Sequence, residues 1–174
     1  LHRRRHSFPT RRSSDLDLSK ELAYAYGGTY HYIYAPLFVN SEEVRDSLEQ
    51  EPNIKGCLEL ARNADIILTS VGSIVYKSWK SYLSTRDLYN LEKKGAIGHI
   101  GGHFYDMEGN EVITPFVNKM IGLGIEDIKN TENVICVAGL EMKAEAILGA
   151  VRGGYINTLI TDEEAAKAVL ALCK

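Results

Sequence analysis

The stretch that decides the fold is NVICVAGLEMKAEAILGAVRGGYINTLITDEEAAKAVLALCK, residues 133–174. NVICVA (133–138) is a short apolar run rich in β-branched residues, and it reads as a buried strand. Gly139 to Gly153 carries apolar residues at helical spacing. Tyr155 to Ile160 (YINTLI) returns to strand character, and Thr161 to Leu172 reads as a second helix. Thr161 is placed to cap that helix, with Glu164 as its capping-box partner. Two strands alternating with helices of about a dozen residues require crossover connections, and therefore a parallel sheet. The fold class is α/β, a Rossmann-like parallel sheet flanked by helices.

Working back towards the N-terminus, ADIILTSVGS (64–73) has the same grammar. An uninterrupted apolar run ending in small residues is the pattern of a central parallel strand covered on both faces. Between these strands, residues 76–94 read as mostly helical, with Leu83, Leu88 and Leu91 as core candidates. Residues 96–106 are glycine-punctuated and extended, and Glu108-Gly109-Asn110 turns the chain into Val112-Ile113 as a β-ribbon. Further upstream, Ser41 with Glu42 and Glu43 opens a helix. Pro52 separates it from another helix through Ile54, Cys57, Leu58 and Ala61. Thr29 to Val39, rich in Tyr, Ile and Val, reads as a strand. Leu18, Leu22 and Ala25 mark a helix started at Ser19 and stopped by Gly27-Gly28.

Composition narrows the function classes. The chain has 174 residues, 45% hydrophobic and 25% charged, which is an ordinary globular mix. Its three cysteines are widely spaced and suit reduced thiols of a cytoplasmic protein. No apolar run reaches the roughly 18 residues that span a bilayer. The net charge of −3 is unevenly spread, because five of the arginines lie in residues 1–16 (LHRRRHSFPTRRSSDL). The remainder carries 15 basic and 22 acidic side chains, and so has no electrostatic footprint for nucleic acid. The leader itself resembles a translated sequencing adapter and is read as disordered and without function. The genuine reading frame is then expected to continue upstream of Asp17.

Ligands of open parallel sheets bind beyond the carboxyl ends of the strands. Two such loops hold site candidates. After the strand at 65–71, Gly72 and Ser73 let a ligand approach the backbone. After the strand at 133–138, Gly139, Glu141 and Lys143 place amides and an ammonium where an anion would sit. Each has a plainer reading, as an ordinary turn and as a surface lysine. His99 and His103 are not read as a metal pair. Four residues of extended chain put them about 13 Å apart, at roughly 3.3 Å per residue. Asp106 reads as a turn residue beside Gly109. No nucleophile elbow, zinc-protease motif, calcium loop or dinucleotide fingerprint is present, so no catalytic residue, metal or cofactor is assigned.

Taken together, GGTYHYIYAPLFVNSEEVRDSLEQEPNI (27–54), ADIILTSVGS (64–73), KKGAIGHIGGHFYDMEGN (93–110) and the segment 133–166 resemble the effector-binding domain of SorC/DeoR-type sugar-binding transcription regulators. The resemblance implies a fold like glucosamine-6-phosphate deaminase and ribose-5-phosphate isomerase. It also implies a phosphorylated-sugar effector, a dimeric or tetrameric assembly, and operator DNA bound through a separate N-terminal helix-turn-helix domain. Gly72 and Ser73 then match a loop lining the effector pocket, and Lys143 matches a lysine on the ligand phosphate. His99 falls where relatives place an acidic residue that holds sugar hydroxyls, and Leu140 replaces a second glycine. The helix-turn-helix domain and the first strand of the fold have no counterpart here. An enzyme of the isomerase or deaminase class is the alternative, with Asp106 or His99 as its base.

Overall fold

The computed structural model describes residues 11–75, 79 and 82–173. It divides into two units, residues 1–34 and 35–174. In the first, α1 (Arg11–Tyr26) begins well before Ser19, so that Ser19 is interior to the helix rather than its start. Gly27, at φ 67°, ends it, and the Gly28 N–H returns to the Ala23 carbonyl. The strand expected at 29–39 does not form. Tyr30, Tyr32 and Tyr34 do alternate as a strand would, with rings 5.0 and 6.1 Å apart. Alternation meets only half of what a strand requires, because the backbone also needs a ladder partner. Among the described residues this stretch makes one isolated bridge, Phe38 to Met120.

The second unit holds the sheets. Its first two helices, α2 (Glu42–Glu49) and α3 (Pro52–Arg62), start as the sequence directs. The Ser41 hydroxyl accepts the Val44 N–H, and Pro52 occupies the first turn of α3, where its missing donor costs nothing. Three strands, β1 (Ile66–Thr69), β5 (Asn133–Val137) and β6 (Thr158–Ile160), form a parallel sheet in the order β1-β5-β6. Leu68 pairs with Ile135, and Val137 with Ile160. Beside it, β2 (Gly72–Ser73), β3 (Gly98–Ile100) and β4 (His103–Tyr105) form an antiparallel sheet. The extended reading of 96–106 is therefore corrected. The chain reverses at Gly101-Gly102, both at positive φ, and His99 pairs with Phe104.

Among the described residues four further α-helices complete the unit: α4 (Thr85–Lys93), α5 (Ile125–Asn130), α6 (Ala144–Arg152) and, after β6, α7 (Glu163–Leu172). Leu83 and Leu91 are buried, as expected for core positions, while residues 76–78 and 80–81 of the expected helical stretch lie outside the described residues. The main core lies between α6, α7 and one face of the parallel sheet. Val134, Cys136, Ala146, Ile147, Ala150 and Ala165 meet there. Small residues on α6 let the helix lie close. At Gly149 a Cβ would come within 2.7 Å of the Asp106 carbonyl oxygen.

Two buried phenols tie α6 and the segment that follows it to the antiparallel sheet and its turn. Tyr105 donates to the Ala146 carbonyl at 2.9 Å, and Tyr155 donates to the Gly109 carbonyl at 2.7 Å. Burial pushes the Tyr155 hydroxyl up to about 12 and drives Tyr105 still higher, so both stay protonated donors. His103, almost fully enclosed, places Nδ1 2.9 Å from Glu111 and Nε2 3.0 Å from the Leu123 carbonyl.

Among the described residues the opposite face of the parallel sheet is left largely uncovered within this unit. Ile66, Leu68, Val137 and Ile160 are all about half exposed on it. β1 is an edge strand among the described residues, where the sequence pattern predicts a central one. Its composition is nevertheless that of a strand covered on both sides.

Gly109 shows how tightly the turn beneath α6 is fitted. It sits at φ 83°, and a Cβ would lie 2.1 Å from the Gly153 amide nitrogen. Gly109→Ala combines left-handed strain with a backbone clash. It is expected to destabilise the fold by about 2–4 kcal/mol in urea unfolding.

Candidate functional site

The parallel order puts the carboxyl ends of β1, β5 and β6 on one edge, and the site candidates gather there. β1 passes through Ser70 and Val71 directly into β2, whose Gly72 pairs with His99 of β3. β5 runs out through Ala138 and Gly139 into a 3-10 turn, Glu141–Lys143, which leads into α6. Gly72–Ser73 packs against this turn. Gly72, Ser73, His99, Glu141 and Lys143 are thus brought into one neighbourhood from segments far apart in the chain.

Their roles differ. His99 lays its ring over Gly72, so that a Cβ at 72 would be 2.1 Å from Nε2. The same ring stands edge-on to Trp79 at 5.0 Å. The absence of a Cβ at Gly72 is therefore required by the His99 ring. Ser73 is buried, and its hydroxyl faces the Val75 N–H at 3.4 Å. Lys143 is half-buried at the last position of the 3-10 turn. Cys136, on β5 below it, has its thiol pushed up by burial, opposed by the Val71 N–H and by the Lys143 charge. The Lys143 charge thus lies within electrostatic reach of Cys136 on β5.

The turn is not the direct helix start that the sequence suggests. Gly139 to Lys143 forms a loop and a 3-10 turn before α6 begins at Ala144. Within it the Lys143 N–H returns to the Leu140 carbonyl at 2.9 Å. The first amides of such a turn have no partner inside it, so Glu141 and Met142 are the ones it can offer to an anion. Leu140 sits at φ 76° and ψ 132°, the one non-glycine residue with positive φ among the described residues.

A residue that the sequence pattern did not single out stands beside this loop. The N-cap of α7 is Asp162, not Thr161. Its carboxylate accepts the Ala165 N–H at 2.8 Å and the Leu140 N–H at 2.7 Å. These two donors hold its acid below the usual carboxylate range. The sequence signal was an Asp followed by two Glu ahead of a helical run. It is a stronger cap pattern than Thr161, but it contained nothing to predict the bond to Leu140.

Asp106 serves as a turn residue. Its carboxylate accepts the N–H groups of Glu108 and Asn110 and the Asn110 side-chain amide. His99 and His103 belong to separate environments, one over Gly72 and the other between Glu111 and Leu123. No group of three or more metal-ligating side chains occurs among the described residues. No described helix is long and apolar enough to cross a membrane.

Leu140 offers a direct test of the strain. Leu140→Gly is expected to raise stability by about 0.5–1 kcal/mol, the released strain less the added flexibility of the unfolded chain. A urea midpoint at or below that of the parent protein would contradict the strained assignment.

Comparison with known proteins places these features in a family. A sugar-binding domain family matches residues 9–171. The transcriptional regulator LsrR of Escherichia coli (strain SMS-3-5) is 35% identical over 144 residues, covering 79% of this chain and 45% of LsrR. The chain thus spans about half the length of the curated relatives it matches. Among solved structures, the sugar-binding domain of a transcriptional repressor from Vibrio fischeri superposes with a TM-score of 0.78 at 31% identity, over 88% of this chain and 62% of that one. The full-length sorbitol operon regulator SorC of Klebsiella pneumoniae gives a TM-score of 0.83 at 25% identity, over 88% and 51%. The chain belongs to the sugar-binding domain family of LsrR- and SorC-type transcriptional regulators.

Proposed function

We propose that this chain is the effector-sensing part of a cytoplasmic bacterial transcription regulator. It binds a phosphorylated sugar and performs no chemistry on it. The observation that carries the reading is the Lys143 turn at the open edge of the parallel sheet, with Gly72 packed beside it and the His99 ring over Gly72. An ammonium, the first amides of a 3-10 turn and a glycine-walled backbone suit a dianion next to a polar ring. Asp106, the best carboxylate for a general base, is engaged by three donors of its own turn. That supports sensing over turnover.

In the complete regulator, effector binding would shift the balance between assembly states of a dimer or tetramer. DNA affinity of an N-terminal helix-turn-helix domain would shift with it. The strongly acidic body of this chain fits such a division of labour, since operator phosphates would be met by another domain. The bare face with Ile66, Leu68, Val137 and Ile160 supports a second element of the reading, that the full domain adds its first strand and covering helices there.

Two measurements test this. Melting temperature is followed with a panel of aldose and ketose phosphates at millimolar levels, beside the unphosphorylated parents. At least one phosphate ester should raise it, while its parent should not. Lys143→Ala should weaken that ligand by about 1.5–3 kcal/mol, the scale of one charge-assisted hydrogen bond. A panel without any shift, or a dissociation constant untouched by Lys143→Ala, overturns the phosphosugar reading. For the bare face, a chain extended upstream in its own reading frame should bind less of the apolar dye ANS than the 174-residue chain. Equal dye binding would mean the face is not covered from that side.

A further inference from the structure

Asp162 does more than a helix cap needs. A cap uses one side-chain oxygen, and Oδ1 supplies it by accepting the Ala165 N–H at 2.8 Å. Oδ2 reaches to a different element, accepting the Leu140 N–H at 2.7 Å across 22 residues of sequence. The approach is built in on both sides. A Cβ at Gly139 would stand 2.2 Å from Oδ2, so only glycine admits the carboxylate here. The residue that donates the bond is Leu140, held at φ 76° against its own steric preference. Helix α7 also packs against the Glu141–Lys143 turn.

We propose that Asp162 is a positioning residue for the anion-binding turn. By fixing Leu140 in its left-handed conformation, it sets the direction in which the Glu141 and Met142 amides and the Lys143 ammonium face. It also takes the Leu140 amide out of ligand reach and sets a negative charge at that end of the loop. The bound anion is thereby confined to the Lys143 end. The inference rests on the phosphate-binding reading of the loop and adds the residue that shapes it.

Asp162→Ser separates the two duties. A serine hydroxyl still caps α7 but is too short to reach Leu140 as well. The 174-residue chain and this variant are titrated with inorganic phosphate, following the amide resonances of the Lys143 turn, and hydrogen exchange is measured at Leu140. The variant is expected to melt within a few degrees of the parent protein. It should exchange its Leu140 amide at least about tenfold faster and bind phosphate about tenfold more weakly. If the serine variant does not fold, Asp162→Asn carries the same test. It keeps one capping oxygen and turns an amide, with no acceptor, towards Leu140. Unchanged phosphate affinity in a folded variant overturns the positioning role while leaving the site itself in place. Failure of the parent chain to bind phosphate overturns the site and the positioning role together.

Discussion

Parallel pairing of β1, β5 and β6 is the constraint from which the rest follows. Parallel strands must all leave the sheet at the same edge, so their outgoing loops are forced together whatever their separation in sequence. That is how Gly72, after β1, comes to lie against the Glu141–Lys143 turn after β5, with Asp162 after β6 alongside. The covered face supplies the rigidity this edge needs. Ala146, Ala150 and Ala165 bring α6 and α7 close over Val134 and Cys136, the Tyr105 hydroxyl fastens α6 to the neighbouring sheet, and the Tyr155 hydroxyl fastens the segment after α6 to the Gly109 turn. A loop anchored to such a base can hold a strained residue, because surrounding contacts outweigh the local cost.

What could be read from the residues was what depends on local pattern. Residues 133–172 announced strand, helix, strand and helix in the order observed, and the Ser41 and Pro52 helix starts are where their chemistry requires them. The loops that carry Gly72 and Lys143 were legible as loops because each follows an apolar strand, at the edge where a parallel sheet presents its loops. The misses share a cause. Thr29 to Tyr34 has strand alternation, but pairing depends on a partner that alternation does not specify. The hairpin at Gly101-Gly102 is invisible when the two glycines are read as punctuation in one extended run, since it is their positive φ that reverses the chain. Asp162 escapes any local motif because its second partner lies 22 residues upstream.

The bare sheet face shows sequence and structure giving complementary information. A strand reading Ile-Ile-Leu-Thr is apolar on both sides, and Val137 and Ile160 extend the same surface across the sheet. Natural parallel sheets do not leave such a surface in water, since each large aliphatic side chain moved out of water contributes about 1.5–3 kcal/mol. Beside the edge where the site candidates gather, the fold thus presents an apolar surface of the kind another layer normally covers.

Within the edge, Gly72 and His99 are a matched pair and cannot be understood one at a time. A carboxylate at position 99 would be acceptor-only and would set a negative charge against Gly72. An imidazole instead supplies a flat ring that fills the space above Gly72. The ring is itself fixed by its contacts with Trp79 and Phe104. In the phosphosugar reading proposed above, the His99 side would contribute shape and the Lys143 side charge.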